Sequence, residues 1–186
     1  FGLNVSANGR RYIGTDAAGT GYSDDFYHSG PVSSLVSTIQ TRLTDHFVNL
    51  PILKNHSIAG LSGGLKNMFG AIHNPNKYHG NNCDPYAAHI NNLAPIKDKH
   101  RLTILDAVRV QYDNGPGFDS GSLAWYDGLV MSTDPVANDR VGQEILDHYR
   151  VLNDRPALNR GRAVDYLNSA REIGLGESGL QAIDLQ

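Results

Sequence analysis

The chain has 186 residues, enough for one domain of ordinary size or two small ones. Hydrophobic residues make up 40% and charged residues 19%, a composition that buries a core and excludes a disordered chain. Sixteen Lys and Arg against nineteen Asp and Glu leave a net charge of −3, which argues against broad nucleic-acid binding and against anionic membrane surfaces, and no apolar run approaches the roughly 18 residues of a membrane span.

Six glycines from Gly2 to Gly30 break up the first thirty residues and leave short extended pieces at 1–5 and 11–13. Pro31 reads as a first helical position, and Leu35, Val36, Ile39 and Leu43 fall on one helical face, so the pattern predicts a helix over 31–44. Residues 47–53 are apolar and strand-length, with Pro51 at an edge or end because it has no N–H to give a ladder. Ser62 or Gly63 starts a short helix through Phe69, and residues 86–93 suggest another. The run 102–105, ending in Asp106, fits a strand buried on both faces of a parallel sheet. Residues 112–128 read as a loop, with Trp125-Tyr126 covering a pocket or a partner surface, and 129–131 as a strand. Asp134 then caps a helix with Pro135 at its first position and Val141, Ile145 and Tyr149 as its buried stripe. Inside it, Asp139 reads as a partner of Arg140 or of solvent. A last helix carries Ala163, Tyr166, Leu167 and Ala170 and stops at Gly174. Strands alternating with helices imply a mostly parallel sheet with helices packed on it.

Cys83 is the only cysteine, so an intramolecular disulfide, a multi-cysteine zinc site and an iron–sulfur cluster are excluded. The chain opens at Phe1 without a Met, so a missing N-terminal portion or a partner chain is expected. Five of the eight histidines, His56, His73, His79, His89 and His100, fall between 56 and 100. The segment from His56 through Gly63-Gly64-Leu65-Lys66-Asn67 follows a strand and opens a helix. Glycine backbone N–H groups at a helix N-terminus, with Lys66 beside them, suit a small anion. Asn67 after the lysine rules out a Walker A loop. His79 and Cys83 are candidate metal ligands, as is Asp106 at a strand end; a buried cysteine packing as a small hydrophobe is an equal alternative.

Asn49-Leu50-Pro51-Ile52-Leu53-Lys54-Asn55-His56, then Gly60 and Gly64-Leu65-Lys66-Asn67-Met68, resemble the signature of domain-of-unknown-function family 362. The likeness continues through His79, Cys83, Asp106, Asn114-Gly115-Pro116, Thr133-Asp134-Pro135 and Gly174-Leu175-Gly176, covering 1–176. It implies an α/β domain that is the C-terminal part of a larger protein, and export to the periplasm behind an upstream twin-arginine signal. A more distant likeness joins His56 and Ser62-Gly63-Gly64-Leu65-Lys66 to nickel-pincer lactate racemases, where such a His transfers protons and such a Lys is bonded to the cofactor.

The expectation is therefore one α/β domain over 1–186, with a loop-rich lead-in at 1–30, a core at 31–176 and a tail at 177–186. Its site lies between His56 and Cys83. His56 and Lys66 are the catalytic candidates, Gly63, Gly64, Lys66 and Asn67 hold an anionic ligand or cofactor, and His79, Cys83 and Asp106 hold a metal ion. The alternative is a non-catalytic metal- or ligand-binding module of a larger exported assembly.

Overall fold

The structure, a computed structural model, describes residues 3–5, 11–13, 21–158 and 164–186. Two antiparallel hairpins come first. β1 (Leu3–Val5) pairs with β2 (Arg11–Ile13), and β3 (Tyr27–Ser29) pairs with β4 (Val32–Ser34). The helix expected over 31–44 is thus replaced by a strand and a single turn of π-helix at Ile39–Leu43. Gly30 and Pro31 form a two-residue hairpin connection, which sends the chain back along β3 instead of into a helix. The apolar residues of this stretch do not share one buried face: Val32 and Val36 are buried, whereas Ile39 and Leu43 are exposed.

The main sheet has β8 (His100–Gln111) at its centre. On one side, β5 (Phe47–Asn49) and β6 (Ile52–His56) run parallel to it, and on the other β9 (Leu123–Ser132) runs antiparallel. β7 (Gly60–Ser62) folds back antiparallel on β6. Pro51 interrupts what would be one long strand: it offers no N–H, and its carbonyl accepts from Asp106 N at 2.9 Å. β8 is a twelve-residue strand, longer than the apolar run that signals it, and from His100 to Ala107 it is buried on one face only, through Thr103, Leu105 and Ala107. The expected 112–128 loop is correspondingly shorter, because Trp125 and Tyr126 lie in β9.

The helices follow in chain order: α1 (Gly64–Asn67), α2 (Tyr86–Asn91), α3 (Ala94–Lys97), α4 (Pro135–Leu152) and α5 (Tyr166–Glu172). Helices packed on a mixed sheet make this an α/β fold. Leu53, Leu105, Leu146, Tyr166 and Leu167 are among the fully buried side chains between sheet and helices. On the opposite sheet face Val48, Ile52, Leu129 and Met131 are exposed. Of the last helix's expected apolar residues, Tyr166, Leu167 and Ala170 are buried and Ala163 lies outside the described residues. No helix among the described residues is long and apolar enough to cross a membrane.

Asp134 caps α4 as its sequence position predicts. Its Oδ1 accepts from Val136 N and Ala137 N at 2.8 and 2.9 Å, while Oδ2 accepts from Glu177 N at 2.8 Å and pins the C-terminal segment. Asp134→Ala is expected to cost about 1–2 kcal/mol, read as a lower midpoint in urea unfolding.

Candidate functional site

β6 and β7 are joined by a tight turn that His56 itself organises. Its ring Nδ1 accepts from Ile58 N and Ala59 N at 3.1 and 3.2 Å. An Nδ1 that accepts two backbone donors carries no proton, so the neutral ring holds its proton on Nε2. Burial first, then the charges of Lys66, His79 and Lys54, lower its pKa to about 4. At neutral pH His56 is an uncharged Nε2–H donor.

α1 follows β7 directly and presents Lys66, which is buried. Lys66 Nζ donates to His79 Nε2 at 3.0 Å and lies 3.6 Å from the centre of the Phe69 ring. His79 is held by a short 3₁₀ turn, Pro75–Tyr78, and donates from Nδ1 to Pro75 O at 2.9 Å, which leaves Nε2 as the acceptor. The His56 and His79 rings are stacked with centroids 5.9 Å apart. Cys83 is fully buried close to Lys66. It is reached through three consecutive non-glycine residues at positive φ, Asn81, Asn82 and Cys83. That conformation costs roughly 1–2 kcal/mol per residue, less for asparagine. Burial lowers the proton affinity of Lys66 and raises the pKa of the Cys83 thiol, and their mutual attraction only partly offsets both.

Beside this cluster a cavity of about 450 Å³ opens between β6, β7, α1 and the loop at Pro116. Its polar lining is Lys54, His56, Ser62, Lys66 and Asn67; Leu50, Pro51, Ile52 and Pro116 supply apolar walls. No Asp or Glu lines it. Lys54 Nζ donates to Pro116 O at 2.9 Å, fixing one of its three protons and leaving two. Asn67 donates to Asn49 Oδ1 at 2.7 Å, and Asn49 donates in turn to Gly64 O at 2.9 Å, so this corner is braced against β5.

The glycines act differently from the sequence expectation. Gly64 N and Leu65 N donate to the carboxylate of Asp139 at 2.5 and 2.9 Å. The helix end is therefore already occupied by a carboxyl group of the chain itself, and the Gly64 and Leu65 N–H groups are spent on it. Asp139 is fully buried in α4, not paired with Arg140, which bonds Glu144 and Gln143 instead. A Cβ at Gly63 would collide with this carboxylate, which is the reason for glycine at that position. Burial pushes the Asp139 pKa up to about 7, against the pull of the two N–H donors.

The expected metal ligands do not converge. Asp106 lies within β8 rather than at its end, opposite Ile52 and Leu129, and its Oδ1 accepts from Val108 N at 3.0 Å. His79 has both ring nitrogens engaged, and Cys83 is fully buried. Among the described residues no three His, Cys, Asp or Glu side chains form a metal-ligand group. Asp139, Phe69 and the brace through Asn49 escape sequence reasoning. The adjacent glycines were the available signal, since a missing pair of Cβ atoms marks the close approach of another group.

Fold and site together define an α/β domain with a cation-lined cavity at the turn between β6, β7 and α1. The family model for a domain of unknown function (DUF362) matches residues 29–144, and the chain belongs to that family. No curated protein and no solved structure matches it.

Proposed function

We propose that this domain binds a small anion, a carboxylate or phosphate, in the cavity lined by Lys54, His56 and Lys66. The observation that carries this reading is the lining itself: two lysine amines and one histidine, with no carboxylate to neutralise them. A buried lysine without an acidic partner is costly to keep charged, and a bound anion supplies the missing counter-charge. His56 contributes a neutral Nε2–H hydrogen bond, in place of the acid/base role that its sequence context suggests. Its Nδ1 is tied to the turn, and Nε2 already carries the proton.

Charge-assisted hydrogen bonds are worth about 1.5–3 kcal/mol. Lys66→Met is therefore expected to weaken binding of inorganic phosphate or acetate by about ten- to a hundredfold in calorimetric titration, with no loss of melting temperature. Phosphate and acetate affinities that are unchanged in Lys66→Met would refute the proposal.

A further inference from the structure

We infer that Lys66 is a nucleophile that forms an imine with the carbonyl carbon of a small 2-oxo acid bound in this cavity. The inference rests on the anion-binding reading, with Lys54 and His56 holding the acid's carboxylate. Three features of Lys66 suit amine chemistry more than simple charge pairing. It is buried yet lines the cavity. Among the described residues no carboxylate lies within ion-pair distance of it. And its Nζ lies 3.0 Å from His79 Nε2, a lone pair aimed at it because Nδ1–H is spent on Pro75 O.

A lysine desolvated by burial surrenders its proton more readily than one in water, while the Phe69 ring face 3.6 Å away favours the ammonium and pulls the other way. The steps balance without an oxidant. The neutral amine adds to the carbonyl carbon, forming a C–N bond and moving the C=O electron pair onto oxygen. His79 Nε2 takes one proton from nitrogen and returns it to that oxygen, giving a carbinolamine. The C–O bond then breaks, and the second N–H proton leaves with the oxygen as water, leaving the C=N bond. His79 is the positioned acid and base in both transfers.

The test uses the full chain with pyruvate as probe and sodium cyanoborohydride to reduce any imine to a stable secondary amine, followed by peptide mass mapping. The expected result is labelling at Lys66 about tenfold or more faster than at the exposed Lys77 and Lys97. Lys66→Arg abolishes that adduct. His79→Gln, checked for folding by its melting curve, slows labelling by about ten- to a hundredfold. Labelling of Lys66 no faster than of Lys77, or undiminished in folded His79→Gln, overturns the inference. Pyruvate that binds without forming an adduct overturns the imine and leaves the anion reading standing; pyruvate that neither binds nor reacts removes both.

Discussion

Replacing Asp139 by asparagine is expected to remove most of the fall in stability that the wild-type protein undergoes between about pH 4 and pH 8. Asp139 has a folded-state pKa of about 7, raised by complete burial well above the usual carboxylate range. An acid with a raised folded pKa binds its proton more tightly in the native state. Stability is therefore full below the unfolded value and is lost as pH rises through the folded one. At about 1.4 kcal/mol per unit, a rise of some three units corresponds to roughly 4 kcal/mol, or a drop in Tm on the order of 10 °C for a domain of this size. His56 tilts the curve the other way. Its folded pKa, lowered to about 4, makes stability decline as pH falls from about 6.5 toward 4. The difference between wild-type and Asp139→Asn melting curves isolates the carboxylate, because His56 is common to both. Parallel curves across pH 4–8 would show that Asp139 ionises freely in the fold.

Gly115→Ala is the second large effect. Gly115 is buried where the loop after β8 crosses β6: its N donates to Asn55 Oδ1 at 3.2 Å, and its carbonyl accepts from Ser57 N at 3.1 Å. An added methyl would run into the Asn55 main-chain carbonyl, which no side-chain rotation can relieve. The loop must then lift away, breaking both hydrogen bonds. The expected cost is about 3 kcal/mol, a fall in Tm of roughly 6–12 °C. Pro116, the next residue, walls the cavity and holds Lys54, so phosphate affinity should fall along with stability. A wild-type melting temperature in Gly115→Ala would mean that the loop does not lie against β6.

The parts of this protein legible before folding are those whose causes are local. Asp134-Pro135 announces α4 because the capping carboxylate and the proline act on the two or three residues beside them. Pro51 marks a break in strand pairing because it lacks a donor wherever it sits. The segment from His56 to Lys66 holds its residues near one another simply by being short, so both line one cavity. The helix expected over 31–44 failed for a comparable reason: helical spacing of four apolar residues competed with a Gly-Pro turn, and the turn's backbone requirement prevailed.

Sequence alone was enough to establish the α/β alternation and the start of α4, and it singled out the glycine–lysine segment as a candidate site. Only the tertiary structure could decide that Asp139, 75 residues from Gly64, fills the helix end that seemed open to a ligand, and that His79 rather than a carboxylate meets Lys66. It likewise set Asp106 apart, in β8, from the histidine and thiol it was expected to join. A polar side chain within a helix or strand carries no mark of its partner. Whether it faces water or a buried donor depends on which distant segment the packing of sheet and helices brings against it.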